Sequence, residues 1–207
     1  MSKTIITINR ECGSGGRDIA RHLGEMLGLK VYDKAILEAI CEKYHLDAQE
    51  ILRIKGQKLN LWDDISQFYR QFGAAADSYL SEGKKITSRE LFYAEAQIIR
   101  NLASQESCVV VGRTGFHIFK DDPDAMHIFL IADRDLRIRR VAEREGIDEK
   151  AAARYVDETD EARETFTKYF AGVSRYDARN YDIVINVSRF TAEEVAAFLA
   201  DKLRKRM

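Results

Sequence analysis

The residues best suited to chemistry in this 207-residue chain lie near its start. Asn9-Arg10-Glu11-Cys12-Gly13-Ser14-Gly15-Gly16-Arg17-Asp18 follows the apolar run Ile5-Ile6-Thr7-Ile8. It precedes Ile19, Ala20, Leu23, Met26 and Leu27 at helical spacing. Strand, glycine loop and helix in that order form an anion-binding device. Glycines let backbone N–H groups turn inward, and the first turn of a helix leaves its N–H groups unpaired. Gly13, Gly15 and Gly16 would let a phosphate approach the backbone closely; a tight turn without a ligand is the plainer alternative. The loop departs from the Walker A pattern G-x-x-x-x-G-K-[ST], because Gly16 stands where the lysine belongs. Arg17 is a planar, always-ionised substitute for that lysine, and Asp18 can offer an oxygen to a metal ion.

Further candidates follow other apolar runs. Arg113 comes directly after Cys108-Val-Val-Val-Gly112, where an arginine can bind a phosphate through two parallel hydrogen bonds. Asp133 closes His127-Ile-Phe-Leu-Ile-Ala132, like the metal-holding aspartate of a Walker B strand, but it is read first as the cap of the helix after it. Arg137, Arg140 and Arg144 share one face of that helix and suit either a triphosphate clamp or a salt-bridged surface. Asp157, Asp160 and Arg163 share a face of the next helix, where a weak intrahelical ion pair is the plain alternative.

These residues must be held by regular elements. Short apolar runs predict strands near 4–9, 30–32, 107–112, 126–132 and 182–186. Helical spacing and capping residues predict helices over 17–28, 33–45, 87–104, 133–146 and 148–171, with a short one opened by Asp47-Ala-Gln-Glu50 and a last one capped by Thr191-Ala-Glu-Glu194. Short, two-sided apolar strands alternating with helices imply an α/β fold with a parallel sheet covered on both faces, whose ligands bind beyond the carboxyl ends of the strands. Residues 34–105 read as a largely helical insertion placed to bind an acceptor. Within it Leu61, Trp62, Ile65, Phe68, Tyr69 and Phe72 form an aromatic stripe, read as core or as the interface of a homo-oligomer rather than as a base-stacking surface.

Composition narrows the classes. A net charge of −1 gives no global basic field, so no nucleic-acid partner is expected. No apolar run approaches the ~18 residues of a membrane span, and no cationic stretch leads into an apolar one, so a cytoplasmic location without membrane association is expected. Three cysteines, at 12, 41 and 108, have neither zinc spacing nor a disulfide framework.

In this order and spacing the motifs resemble the cytidylate-kinase-like proteins, relatives of the bacterial CMP kinases among the P-loop nucleoside monophosphate kinases. The carriers are Asn9 to Arg17 with Tyr32-Asp33, Val109-Val-Val-Gly-Arg113, Arg137-Ile-Arg-Arg140, Asp160-Glu-Ala-Arg163 with Tyr169, and Tyr181-Asp-Ile-Val-Ile-Asn186. The resemblance implies a single P-loop kinase domain over 1–207, a sheet of strand order 2-3-1-4-5, and a lid about 137–165. It also implies ATP as donor with Mg²⁺. By position it puts Gly13, Ser14, Gly15, Gly16 and Arg17 on the donor phosphates, Asp33, Arg113, Asp160 and Arg163 on the acceptor, and Arg137 and Arg140 over the phosphates. Two segments depart from the family: Lys34-Ala-Ile-Leu-Glu-Ala39 replaces S-G-A-x-Y-R, and Thr-Gly-Phe-His follows Arg113 in place of D-x-G-T.

The leading reading is therefore an ATP-dependent phosphotransferase acting on a nucleotide, nucleoside or similar small acceptor, with Arg17, Arg137 and Arg140 as its catalytic cations and Asp18 as a metal ligand. A nucleotide-binding protein without transfer activity would explain the missing lysine. A third reading takes Cys12 as a nucleophile at a helix N-terminus, with Arg17 as its anion-binding arginine.

Overall fold

The structure is a computed structural model describing residues 3–33 and 88–204. Its organising feature is a five-stranded sheet of β1 (Ile5–Arg10), β2 (Lys30–Tyr32), β3 (Cys108–Val111), β4 (Ala125–Ile131) and β5 (Ile183–Asn186), in the order β2-β3-β1-β4-β5. Every pairing is parallel, with Ile8 opposite Val111 on one side and Ile128 on the other. Topology and strand positions match the expectation from the sequence. Parallel strands lie under helices, so their side chains are apolar on both faces: Ile6, Ile8, Val109, Val110, Ile128 and Leu130 are all fully buried. Thr7, a fully buried polar side chain in the middle of β1, is satisfied across the sheet by the His127 ring at 2.8 Å.

The described helices are α1 (Gly16–Leu27), α2 (Ser88–Gln105), the single turn α3 (Gly115–Ile118), α4 (Arg134–Glu145), α5 (Glu149–Ala171) and α6 (Ala192–Arg204), with a 3₁₀ turn at Ala178–Asn180. Helices α1 and α6 share a core with the strands, in which Ile19 and Leu23 meet Leu199 and Leu203. The α6 cap is the expected reciprocal box: Glu194 N–H donates to Thr191 Oγ1 at 3.2 Å, and Thr191 N–H donates to Glu194 Oε2 at 2.8 Å. Asp148 caps α5 by accepting from Ala151 N–H at 2.8 Å. Asp133 occupies the cap position of α4 without a capping bond; Asn186 Nδ2 donates to its carboxylate at 3.4 Å instead.

The chain divides into two compact units, residues 1–34 with 103–207, and residues 35–102. The first holds the whole sheet. In the second, the described part is the α2 stretch 88–102, where the Phe92 and Tyr93 rings meet edge-on at 5.8 Å. Apart from Asp33 itself, the helices expected over 33–45 and near 47–50 and the aromatic stripe from Leu61 to Phe72 lie outside the described residues. No helix among the described residues is long and apolar enough to cross a membrane.

Candidate active site

β1 delivers the chain at Arg10 to a loop that must turn sharply before α1 begins at Gly16. Gly13 and Gly15 make the turn with φ of +80° each, a region that costs L side chains energy. At Gly13 a second constraint applies. A Cβ there would stand 2.5 Å from the Arg137 carbonyl oxygen and 2.9 Å from Arg137 Cα, so the loop lies directly on the backbone of α4. Gly15 faces open space, with Arg140 Nη1 the nearest atom to a Cβ at 3.5 Å. Among the described residues no acceptor takes the N–H groups of Gly13, Gly15, Gly16 or Arg17. These four donors stand at the mouth of α1, where the first turn of a helix leaves its N–H groups without intrahelical partners. Ser14 turns its hydroxyl inward, donating to the Glu11 carbonyl at 2.9 Å, so its side chain serves the loop itself.

Beneath the loop, Asp160 is a buried hub. Its carboxylate accepts from Arg137 Nη1 at 2.7 Å, from Arg175 Nη1 at 3.3 Å and from the Cys12 N–H at 2.9 Å, and Arg163 Nη1 lies 3.6 Å away. Arg137 donates further to the carbonyls of Ala132 at 3.0 Å and Cys12 at 3.2 Å, and stands 3.5 Å from Glu11. Glu11 in turn accepts from Ala132 N–H at 2.9 Å. The expectation put Arg137 over the phosphates and Asp160 on the acceptor. The structure instead gives their polar atoms to one another and to loop backbone, inside the protein.

Arg175, which sequence reasoning missed, is 3% exposed, donates to the Arg10 carbonyl, and lies over the Phe129 and Tyr176 rings at 5.6 and 5.3 Å. Its neighbour Tyr181 stacks on Phe129 at 5.0 Å and donates to the Arg175 carbonyl at 2.7 Å. Burial pushes that phenol up to about 12. Arg163 reaches the same Arg10 carbonyl at 3.3 Å; its own burial and then Arg175 lower its pKa.

Above the loop, Arg140 Nη1 donates to the Ser14 carbonyl at 3.2 Å. An open pocket of about 480 Å³ spreads from there, bordered by Gly13, Gly15, Asp18, Arg140, Arg144 and Phe190. Arg17 points the other way: its side chain is 65% exposed and its Nε lies 3.7 Å from Asp33 at the end of β2. Arg113 and Thr114, past the end of β3, both have φ of +53°, an uncommon backbone for side chains of their kind. So Gly13, Gly15, Gly16, Asp18 and Arg140 come together, Arg17 joins Asp33, and Arg137 and Asp160 form the support below, with the partly exposed Arg163 at its edge.

The Cys12 nucleophile does not survive this geometry. Its side chain is 4% exposed, within an apolar cluster of Ile138, Val141, Ala152 and Val156, which leaves no approach for a substrate. Among the described residues no group of three His, Cys, Asp or Glu side chains is arranged to hold a metal ion. Asp18 on the first turn of α1 is an exposed carboxylate at the loop.

A family model described as the cytidylate kinase-like family matches residues 5–189. The cytidylate kinase of Methanopyrus kandleri is 28% identical over 196 residues, covering 94% of this chain and 90% of that protein. That of Sulfolobus acidocaldarius is 26% identical, covering 92% and 89%. Among solved structures, an uncharacterized protein from Eubacterium ventriosum superposes with a TM-score of 0.72 at 24% identity, covering 99% of this chain and 100% of its own. Shikimate kinase from Bacteroides thetaiotaomicron superposes at 0.53 with 12% identity, covering 98% and 99%. Both structural likenesses are likenesses of fold.

Proposed function

The chain belongs to the cytidylate kinase-like family, and on that footing we propose that it is an ATP-dependent phosphotransferase acting on a nucleotide, nucleoside or similar small acceptor. The relatives' names make cytidylate the first acceptor to test. The observation that carries the reading is the set of unclaimed N–H groups from Gly13 to Arg17, with Arg140 directly above. Donor phosphates fit there, and the rest of ATP fits the pocket between Arg140 and Phe190. Phosphoryl transfer asks mainly for positioning and neutralisation of spread negative charge, which backbone donors and arginines supply. In the transfer, the bond from the terminal phosphorus to the bridging oxygen breaks, its electron pair leaves on ADP, and an acceptor oxygen forms the new bond, a hydroxyl acceptor releasing its proton to water.

Mg²⁺ would neutralise charge shared between the donor phosphates. A single loop carboxylate suits it, since Mg²⁺ keeps waters and takes other ligands from phosphate; Asp18 is the residue that would hold it. Asp33, Arg113 and Arg163 would receive the acceptor. Arg137 and Asp160 are positioning residues in this reading, because they hold the loop through Cys12 and Glu11.

The test is ADP release from ATP and Mg²⁺ against cytidylate, other nucleoside monophosphates and nucleosides, with thermal shift run in parallel. Acceptor-dependent ADP release is expected. ATP-induced stabilisation without ADP release on any acceptor would favour the second reading, a binding protein, which the glycine at position 16 also suits. No stabilisation by ATP would overturn both. Once an acceptor is in hand, Arg113→Ala is expected to raise its KM about tenfold while kcat changes less than about threefold, as loss of a ground-state contact predicts. A large fall in kcat at unchanged KM would remove Arg113 from acceptor binding.

A further inference from the structure

The Walker A pattern has glycine at its first position and lysine at its seventh. In this chain those positions are 10 and 16, and they hold arginine and glycine. The two residues are also in contact. A Cβ on Gly16 would lie 2.8 Å from Arg10 Cγ and 2.9 Å from Arg10 Cβ, so the stem of Arg10 crosses the place where a side chain at position 16 would begin. The guanidinium continues to Gly112 at the end of β3, where a Cβ would overlap its Nη1. Glycine at 16 and glycine at 112 thus open a slot at the carboxyl edge of β1 and β3, and Arg10 fills it.

We propose that cation and glycine have exchanged places in this loop, and that the Arg10 guanidinium binds the terminal donor phosphate in place of the loop lysine. This rests on the phosphotransferase reading above and assigns the charge which that reading lacks.

Three observations support it. Arg10 has no hydrogen bond or ion pair to its guanidinium among the described residues, unlike Arg137, Arg140, Arg163 and Arg175. Its surroundings are positive: burial, then Arg163, Arg175 and Arg17, lower its pKa to about 9, with Asp33 alone opposing them. A cation kept beside three others without a bound partner is a poor structural device and a good anion receptor. Finally, Arg10 starts from the last residue of the central strand, and both Arg163 and Arg175 donate to its carbonyl. Those two bonds fix where its side chain begins. Arg17, the cation that sequence position favours, is exposed and turned toward Asp33.

The experiment uses the full chain with Arg10→Met, Arg17→Ala, Gly16→Lys and the double variant Arg10→Gly/Gly16→Lys. ATP and ADP affinities are measured without acceptor, alongside thermal melts and turnover. Arg10→Met keeps the stem against Gly16 and is expected to weaken ATP at least tenfold while weakening ADP much less. Its melting temperature is expected to stay level or rise, because a repelled charge is gone. Arg17→Ala is expected to change ATP affinity less than threefold. Gly16→Lys alone should bind ATP poorly through its clash with Arg10, and the double variant should recover ATP binding over both single changes.

ATP affinity unaltered in Arg10→Met, or lost in Arg17→Ala instead, would overturn the exchange. So would a fall in melting temperature with the ATP-to-ADP preference intact, which would make Arg10 structural. If the double variant does not fold, the Arg10→Met and Arg17→Ala pair still decides. Failure of the parent protein to bind ATP is the separate result that would remove the underlying reading.

Discussion

Gly15→Val is expected to lose ATP affinity at least a hundredfold while the protein stays folded. The two effects separate because Gly15, unlike Gly13, has no protein backbone against it; a Cβ there meets Arg140 Nη1 first, at 3.5 Å. The new side chain would stand in the space between Arg140 and the loop N–H groups, where the donor phosphates are proposed to lie. A β-branched residue at φ of +80° costs roughly 1–2 kcal/mol of strain. In a chain of this size that lowers the melting temperature by roughly 2–8 °C. Isothermal titration with ATP beside a thermal melt checks both. Undiminished affinity would mean that the loop is only a turn.

Asp160→Ala is expected to be the most destabilising single change in the site. Arg137 and Arg175 are both buried, and the Asp160 carboxylate is their shared counter-charge. Removing one partner of a buried ion pair leaves charge without compensation, at about 3–5 kcal/mol. The Cys12 N–H also loses its acceptor, so the loop loosens at its root. The melting temperature should fall on the order of 10 °C, and ATP affinity should fall with it. Asp160→Asn keeps an acceptor for Cys12 but not the charge, so it should lie between parent and alanine. A melt within about 2 °C of the parent for Asp160→Ala would show that the arginines are compensated elsewhere.

The sheet was legible because its three central strands are apolar runs with sharp boundaries. Ile5–Ile8, Cys108–Val111 and Ile128–Ile131 need no long-range information to be recognised, and Thr191 with Glu194 marks a helix start by itself. The four-residue α3 is shorter than the pattern that would announce it. The sharp glycine turn between β1 and α1 could be read from residue type and place alone.

The roles of individual arginines could not be read in this way. On α4, Arg134, Arg137 and Arg140 are the same residue a few positions apart. One pairs with Asp157 at the surface, one is buried on Asp160, and one lies over the loop. Only the approach of α5 and of the loop distinguishes them. Arg175 sits in an irregular stretch with no periodicity to flag it, and of its partners Asp160 lies on the preceding helix while Arg10 lies at the other end of the chain. Cys12 shows the converse. A cysteine before a glycine-rich turn reads as reactive until α4 and α5 close over it.

The central position of β1 has a consequence for how the protein is made. Its two neighbours in the sheet, β3 and β4, are encoded about a hundred residues or more downstream, with Ile5 beside Cys108 and Ala125. During synthesis the central strand of the sheet is therefore the first of the five to emerge and waits longest for its neighbours. At roughly 5–20 residues per second, Ile5 to Ile131 takes about 6–25 s. Until β3 is made neither edge of Ile5-Ile6-Thr7-Ile8 has its partner, the β4 edge stays open to the end of the interval, and the helix that follows lacks α6, encoded later still. Non-local parallel pairing is slow to form and exposed to aggregation until it does. Ribosome-bound chains arrested shortly before residue 125 should thus be more protease-sensitive and more prone to bind chaperones than chains arrested after the end of α6.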